Sequence, residues 1–321
     1  MKVHVKTPAR LHLGIIDVNG GLGRMYGSLG LAIQRPNVII EASESNTLHI
    51  EGEDQERVKE AAETFLRHFK IKKNCRIKVK RSIPAHVGLG SGTQLKLAVA
   101  RSLAELFKID IPTRELSHIM GRGSVSGIGT AAFEAGGFII DGGRPSKDDG
   151  KDLPPPVILR HPFPDDWFLV VALPGLKKGF SGKVEDRAFE DLPPAPAELV
   201  GRMCRLLMMK MLPSLLERDI VNFGSALTDL QILTGECFSS VQGGRFAGDA
   251  VAETVNFMLA EGAYGAGQSS WGPAVYGLAE GRSEAESLYE KVQRFLDSNV
   301  GGYSFYTRGD NRGAEVKIED N

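Results

Sequence analysis

The sequence predicts an α+β fold of two domains, with mixed or antiparallel sheets flanked by helices. Strand-like and helix-like segments follow one another in mixed order, and many connections between them are short enough for hairpins. A polar segment rich in Pro and Gly at residues 141–156 divides the chain. We therefore expect one domain over residues 1–150 and a second over residues 157–321.

In the first half, alternation and β-branched residues predict short strands, which span residues 3–5, 11–16, 38–42, 48–51 and 75–81. Asp54 is expected to cap an amphipathic helix whose apolar face includes Val58, Phe65 and Phe69. Apolar periodicity predicts two further helices over residues 95–107 and 113–120, followed by a strand over 136–141.

In the second half, the continuous apolar run at residues 167–173 predicts a strand that is buried on both faces. Residues 174–186 form a basic segment with regularly placed glycines and are expected to be a loop. Helical periodicity and β-branching predict the remaining elements, which are helices over 198–217, 219–233, 249–261 and 284–296 and strands over 274–278 and 313–318.

The composition is that of a globular protein, with 321 residues, 42% hydrophobic and 25% charged. A formal net charge of −1 gives no reason to expect a nucleic-acid groove, so an anionic ligand has to be held by local positive groups. The sequence shows neither a membrane-spanning segment nor a signal peptide, which leads us to expect a cytoplasmic protein. Its three cysteines and seven histidines have no metal-ligand spacing, so oxygen atoms and substrate phosphates would hold any metal.

The most informative segment is residues 84–94, which read P-A-H-V-G-L-G-S-G-T-Q and run directly into an apolar helix. Glycines at a helix N-terminus expose backbone N–H groups that have no intrahelical acceptor, which makes this segment a candidate anion cradle. A tight strand-to-helix turn is the alternative for the glycines alone. The spacing matches neither a Walker A loop nor a dinucleotide fingerprint.

Two more segments accompany this loop: T-P-A-R-L-H-L-G at residues 7–14 and G-A-Y-G-A-G-Q-S-S-W-G-P at 262–273. Together the three resemble the GHMP family, named after galactokinase, homoserine kinase, mevalonate kinase and phosphomevalonate kinase, and the resemblance spans almost the whole chain. It implies a GHMP kinase-like fold. The first segment continues into I-I-D and a Gly-rich stretch, which looks like the archaeal β-ribofuranosylaminobenzene 5′-phosphate synthases of the methanopterin pathway, members that are not kinases.

Residues 123–130 depart from the pattern of the family's kinases at the position of the catalytic base. Several kinases of the family have an S-G-x-D element whose aspartate acts as base, whereas residues 123–130 here read G-S-V-S-G-I-G-T, with Gly129 in place of the carboxylate. A glycine cannot accept a proton, so phosphoryl transfer is disfavoured. An ATP-dependent small-molecule kinase with a base elsewhere and a catalytically silent binding protein remain the alternatives.

The synthase resemblance implies condensation of 4-aminobenzoate with phosphoribosyl pyrophosphate, with release of pyrophosphate and CO2. It implies Mg²⁺ as cofactor, with Ser91 as metal ligand, and a homodimer as a family-level expectation. The chemistry requires stabilisation of leaving-group charge and exclusion of water. The predicted diphosphate-binding residues are those of the loop, namely Gly88, Leu89, Gly90, Ser91, Gly92 and Thr93.

Three residues of the first strand region are candidate catalytic groups. Arg10 is either an exposed strand charge or a fork for phosphate or carboxylate, and the resemblance favours the second. Asp17 is either the former of an Asx turn or a carboxylate that faces the ribose or a metal. His12 is either a partly exposed histidine or a hydrogen-bonding partner of the substrate.

The remaining candidates bind substrate. Lys177 and Lys178 are either solvated charges or cations on a lid that reaches the 5-phosphate or the benzoate carboxylate. The late Gly-rich segment is either a plain turn or a wall of the site, in which Trp271 stacks on the aryl ring. Its predicted contributors are Gly267, Ser269, Ser270 and Trp271.

Overall fold

A computed structural model describes residues 1–146, 153–175, 189 and 192–319 of the chain, which are built around two sheets. Within these residues the first sheet has eight strands, and its centre is the antiparallel pair of β1 (Lys2–Asp17) and β2 (Arg24–Ser45). Its other strands are β3 (His49–Gly52), β4 (Asn74–Arg81), β5 (Phe138–Asp141), β6 (Arg144–Pro145), β7 (Val157–His161) and β12 (Glu315–Glu319).

The strand β1 joins the two short strands that the sequence predicted over 3–5 and 11–16. Its register with β2 shifts between Pro8 and Ala9 and again between His12 and Gly14. Such irregularities re-aim the side chains of the bulged strand. They flank Arg10 and His12, two of the three candidates that lie on this strand.

Four helices follow in the first half: α1 (Gln55–His68), α2 (Ser91–Leu106), α3 (Thr113–Ile119) and α4 (Ile128–Ala135). The sequence predicted the first three and assigned no element to α4, whose Gly-rich start conceals its periodicity. Asp54 does precede α1, but its side chain makes no capping hydrogen bond. Its carboxylate instead accepts from Arg57, at 3.0 Å, and from the Ser82 hydroxyl, so the capping prediction was wrong.

The second sheet has the order β11 (Gly302–Arg308), β8 (Trp167–Pro174), β10 (Val275–Glu280), β9 (Ala266–Gln268), and all its pairs are antiparallel. All eight residues of β8 are buried, which confirms the expected strand with two covered faces. On one face, Phe168 and Val170 share a core with α8 (Asp249–Ala260) and α9 (Gly281–Phe295). A π turn, Leu296–Val300, ends α9.

The long helix α7 (Ile220–Gln242) contacts both sheets. Phe223 packs on Trp167 of β8 with ring centroids 5.2 Å apart, and Gln231 donates to the Leu13 carbonyl of β1 at 2.6 Å. The helix continues past the predicted end at residue 233 and through Gly235. A Cβ at Gly235 would lie 2.4 Å from the Arg245 carbonyl oxygen, so close packing explains a glycine within this helix.

The helix predicted over 198–217 is interrupted. It consists of α5 (Ala197–Leu206), a π turn (Leu207–Met211) and α6 (Leu212–Glu217). Pro213 explains the wider turn, because its ring crowds the preceding turn and it has no N–H to donate.

The two sheets do not divide where the sequence predicted a domain boundary, because β7 and β12 come from beyond residue 150 and complete the first sheet. The architecture is nevertheless the α+β arrangement of mixed and antiparallel sheets with helices that the sequence predicted. Among the described residues, no helix is long and apolar enough to cross a membrane.

Candidate active site

The three sequence motifs meet at one point of the fold. Arg10 on β1 donates from its backbone N–H to the Leu89 carbonyl at 3.1 Å and from Nη1 to the Gly88 carbonyl at 2.7 Å. The Ser269 hydroxyl donates to the same Gly88 carbonyl at 2.6 Å and accepts the His12 N–H at 2.9 Å. Hydrogen bonds between distant parts of the chain thus join the motifs into one unit.

This junction requires the glycines of the loop at residues 84–94, which is called the phosphate loop after its predicted role. Gly88 has φ +86°, and a Cβ there would lie 2.5 Å from the Ser269 carbonyl oxygen. Gly90 has φ +77°, and its Cβ would lie 2.8 Å from Cγ of Arg10. Both positions therefore exclude a side chain by backbone conformation and by space.

Helix α2 begins directly after Gly90, and its first intrahelical bond runs from the Gln94 N–H to the Gly90 carbonyl at 3.1 Å. The amides of Ser91, Gly92 and Thr93 precede that bond, and no side chain caps them. Amides in this position, at the positive end of the helix dipole, can bind an anion.

A cavity of about 300 Å³ lies beside the junction. Three arginines line it, and its described lining residues include no aspartate or glutamate. The polar and charged lining residues are Arg10, His12, Thr93, Arg122, Ser124, Ser126, Gln231, Thr234, Gln242, Arg245, Gln268 and Ser270. In a chain of net charge −1, this cavity is a local concentration of positive charge that suits anionic ligands.

Aromatic rings form another part of the wall. Trp271 makes edge-to-face contacts with Phe238 and Phe189, at centroid distances of 5.1 and 5.4 Å. All three residues line the cavity, and Trp271 is itself buried. The lining thus combines cationic groups with an apolar aromatic surface, a typical arrangement for a ligand with a charged end and a ring.

His12 lies in the cavity wall and is 8% exposed. Burial, with a smaller contribution from the positive charge of Arg10, lowers the pKa of His12 to about 3. The imidazole is therefore neutral near pH 7, where it is a weak base and a hydrogen-bonding group. Its backbone also accepts the Ser270 N–H at 3.2 Å.

Asp17 lies at the end of β1 and is not among the residues that line the cavity. Its Oδ1 accepts the backbone N–H groups of Asn19 at 2.6 Å and Gly20 at 3.0 Å. This is the geometry of an Asx turn. Of the two roles that the sequence left open for Asp17, the geometry supports turn formation, and catalysis stays a prediction.

Only part of the late Gly-rich segment, residues 262–273, lines the cavity, and most of the rest is buried in the fold. Ser270 and Trp271 line the cavity, whereas Ser269 is fully buried and holds the junction together. Gly267 lies in β9, where a Cβ would be 2.3 Å from Cγ of Gln231. Lys177 and Lys178, predicted to lie on a lid, are outside the described residues.

Of the loop residues, Thr93 lines the cavity, whereas Leu89 is buried in the core at 1% exposure. Ser91 is 7% exposed at the first position of α2. Among the described residues there is no group of three His, Cys, Asp or Glu side chains that could hold a metal. The roles of Ser91 as a metal ligand and of Mg²⁺ as cofactor stay predictions.

Arg122 and Arg245 are functional candidates that sequence reasoning did not identify. Each is a single arginine in a loop, without a motif or a periodicity. Arg122 Nε donates to the Thr93 hydroxyl at 3.0 Å, and Arg245 packs on Gly235 of α7. Only the folding of distant segments against each other brings these two arginines to the cavity.

A buried aspartate holds the chain next to the cavity wall, directly after the lining residues 124–126. Asp141 is fully buried and accepts the N–H groups of Ser28 at 3.0 Å, Gly127 at 2.8 Å and Gly143 at 2.9 Å. Burial raises the pKa of Asp141, although these hydrogen bonds act in the opposite direction. Asp141 thereby ties the start of α4 to β2 and to the end of β5.

The fold and the loop define the class of protein. The chain matches the GHMP kinases N terminal domain over residues 56–137 and the GHMP kinases C terminal domain over residues 211–298. Homoserine kinase from Cytophaga hutchinsonii has a similar fold, with a TM-score of 0.69 over 98% of this chain and 97% of that one, at 18% identity. The chain belongs to the GHMP kinase family.

Within the family, two archaeal relatives share substantial identity with the chain. Beta-ribofuranosylphenol 5′-phosphate synthase of Methanothermobacter thermautotrophicus is 39% identical, over 86% of this chain and 88% of the relative. The protein of the same name from Archaeoglobus fulgidus is 37% identical, over 98% of this chain and 100% of the relative. These relatives are named as synthases and not as kinases, in agreement with the predicted branch of the family.

Proposed function

We propose that this chain is a decarboxylating C-ribosyltransferase, which condenses phosphoribosyl pyrophosphate with a benzoate that carries a para amino or hydroxyl group. The observation that carries the proposal is the cavity, in which three arginines and an aromatic wall lie beside the phosphate loop. The two substrates together present three anionic centres: a diphosphate, a 5-phosphate and a carboxylate. The aromatic ring of the benzoate requires an apolar surface, which the aromatic wall provides.

The proposed reaction requires no base at the ring. The C1–O bond of the ribose breaks with its electron pair going to pyrophosphate, and a C–C bond forms between C1 and the ring carbon that bears the carboxylate. The C–CO2 bond breaks, and its electron pair remains with the ring. No proton has to leave the acceptor, which agrees with a described lining free of aspartate and glutamate and with a His12 that is a weak base.

Catalysis in this proposal is stabilisation of charge. The amides of Ser91, Gly92 and Thr93, with Arg10 and Arg122, would hold the diphosphate as negative charge builds up on it. Arg245, on the α7 side of the cavity, is assigned to the acceptor carboxylate or the 5-phosphate. The aromatic wall would orient the ring and exclude water, which would otherwise hydrolyse an oxocarbenium-like ribose.

Magnesium enters the proposal as an ion that the diphosphate brings with it, since the described side chains provide no cage. Bound in that way, it would neutralise leaving-group charge. The residues that would lie nearest are the loop amides and the Ser91 hydroxyl. Calorimetry should then show that magnesium and phosphoribosyl pyrophosphate strengthen each other's binding.

The acceptor is the finer part of the proposal. The motif resemblance implies 4-aminobenzoate, in a methanopterin-type pathway. The relatives are named after a ribosylphenol, which requires a hydroxyl in place of the amine. Either substituent donates electrons to the ring carbon that attacks C1. The two acceptors are therefore tested side by side.

The experiment mixes purified protein, magnesium and phosphoribosyl pyrophosphate with carboxyl-labelled 4-aminobenzoate or 4-hydroxybenzoate, and measures released label and pyrophosphate. With one of the two benzoates, we expect labelled CO2 and pyrophosphate to be released in equal amounts. Neither product should form when phosphoribosyl pyrophosphate is omitted. Arg245→Gln should lose most of the activity, whereas Arg205→Gln, an equal change of charge on α5 outside this cavity, should retain it.

The kinase alternative makes the opposite prediction. With ATP and homoserine, mevalonate or a sugar, the wild-type protein should form ADP no faster than the background rate. Stoichiometric ADP with any of these acceptors, together with no label released from either benzoate, would replace the synthase proposal with a kinase.

A further inference from the structure

We propose that Thr93 and Arg122 form a positioned clamp for the diphosphate, and that residue 129 is a glycine because a side chain there would break the clamp. The inference rests on the proposed function for the identity of the natural ligand. In it, Arg122 contacts the diphosphate, and Thr93 acts as a positioning residue through Arg122.

The first observation is a hydrogen bond in the cavity wall. Thr93 lies in the first turn of α2, is 8% exposed, and accepts Nε–H of Arg122 at 3.0 Å. This bond fixes one edge of the guanidinium. Both residues line the cavity.

The second observation is the place where the guanidinium lies. A Cβ at Gly92 would be 3.6 Å from Nη2 of Arg122, 3.8 Å from Cζ and 3.9 Å from Nη1. The planar group therefore lies against the first turn of α2, next to the amides that precede the first intrahelical bond. A diphosphate bound there would meet backbone donors and a fixed cation together.

The third observation explains Gly129. A Cβ at this position would lie 3.0 Å from Cγ2 of Thr93, 3.2 Å from its Cβ and 3.3 Å from its Oγ1. The two helices cannot easily separate, because Nε2 of the Gln94 side chain in α2 donates to the Gly129 carbonyl at 2.8 Å. The Ser117 and Thr130 hydroxyls, 2.7 Å apart, hold α4 from another side. A side chain at residue 129 would therefore turn Thr93 away from Arg122.

Charge adds to this steric effect. A carboxylate at residue 129 would stand next to Thr93 and within the same cavity wall as Arg122. It would attract the guanidinium and repel a diphosphate. The glycine thus keeps both a side chain and a negative charge away from the place where leaving-group charge develops.

The test measures binding of inorganic pyrophosphate by calorimetry at fixed magnesium, with circular dichroism as the check of folding. Thr93→Val keeps the shape but removes the acceptor, and we expect about tenfold weaker binding. Thr93→Ser keeps the hydroxyl and should restore binding to within about twofold of wild type. Arg122→Gln should weaken binding about a hundredfold, and the charge control Arg205→Gln should not change it.

Substitutions of the glycine separate the steric and electrostatic effects. Gly129→Ala should weaken pyrophosphate binding by about as much as Thr93→Val, and Gly129→Asp should weaken it further. In the labelled-CO2 assay, Thr93→Val should lower kcat and raise KM for phosphoribosyl pyrophosphate while KM for the benzoate stays unchanged. A merely structural role would not produce this division.

Two outcomes would overturn the clamp. One is folded Thr93→Val that binds pyrophosphate like wild type, and the other is Thr93→Ser that behaves like Thr93→Val. Failure of the proposed function has a different signature, because wild-type protein would then release no CO2 from either benzoate while the pyrophosphate measurements still decide the clamp.

Discussion

Protonation of His12 should destabilise the fold in mild acid, and the perturbation that isolates this effect is His12→Leu. In the folded chain the pKa of His12 lies at about 3, against an ordinary value of 6.5, chiefly because the ring is buried. Below pH 6.5 the unfolded chain binds a proton that the folded chain does not bind until the pH approaches 3. Stability from the neutral ring is therefore present above pH 6.5 and is lost as the pH falls.

The magnitude follows from the two pKa values. On acidification from pH 8 to pH 5, the pH falls about 1.5 units below the ordinary histidine pKa of 6.5, which applies in the unfolded chain. Over this interval only the unfolded chain binds the proton, and each pH unit lowers the free energy of unfolding by about 1.4 kcal/mol. The free energy of unfolding should thus fall by about 2 kcal/mol through this residue alone. Other groups add their own pH dependence, which wild type and variant share.

The assay is urea unfolding of wild type and His12→Leu at pH 8 and pH 5, followed by tryptophan fluorescence. The variant has its own pH-independent cost, but its loss of stability on acidification should be smaller than that of wild type by about 2 kcal/mol. His68→Asn, which removes an exposed histidine from α1, is measured beside it as the matched control for the loss of one histidine. Equal losses in wild type and His12→Leu would refute the argument that a buried, neutral ring lines the cavity.

Three further predictions concern the site. Gly90→Val places a branched side chain at a residue with φ +77°, with its Cβ 2.8 Å from Cγ of Arg10. Because the side chain keeps an anion away from the loop backbone, diphosphate binding should weaken on the order of tenfold or more in a protein that still folds. An unchanged affinity in calorimetry would place the diphosphate site elsewhere. Asp17→Asn retains an oxygen that can accept the two turn N–H groups, so turnover in the labelled-CO2 assay should stay within about twofold of wild type; a large loss would instead return Asp17 to the reacting carbon. Trp271→Ala should raise KM for the benzoate about tenfold and leave pyrophosphate affinity unchanged, because the indole belongs to the aromatic wall with Phe238; equal effects on both ligands would indicate a general collapse of the cavity.

Local patterns in the sequence predicted much of the fold. The continuous apolar run of β8 indicated a strand covered on both faces, and helical periodicity indicated α1, α2 and α8 to within a few residues. These elements were predictable because the period of buried side chains is a property of neighbouring residues. Prediction failed where packing between distant segments decides the structure. The sequence predicted that the helix ends at residue 233, but α7 continues through Gly235, a position where the Arg245 backbone lies too close for a side chain.

The site divides in the same way. The glycines at residues 88 and 90 and the start of a helix after them follow from the local sequence, since glycine requirements depend on the local backbone. The contact of Arg10 with this loop joins residues far apart in the chain, and only the tertiary structure shows it. The sequence left Asp17 and His12 with two roles each. The structure supports the Asx turn for Asp17 and places a neutral His12 ring in the cavity wall.

By itself, then, the sequence determined the α+β class, the elements with strong periodicity, the Gly-rich loop before α2 and the family resemblance. Only the tertiary structure decided which charges surround the cavity, because Arg122 and Arg245 are single residues whose approach to Thr93 and Gly235 depends on contacts between segments far apart in the chain. The same holds for the neutral state of His12, since desolvation is a property of the folded surroundings and not of the neighbouring sequence.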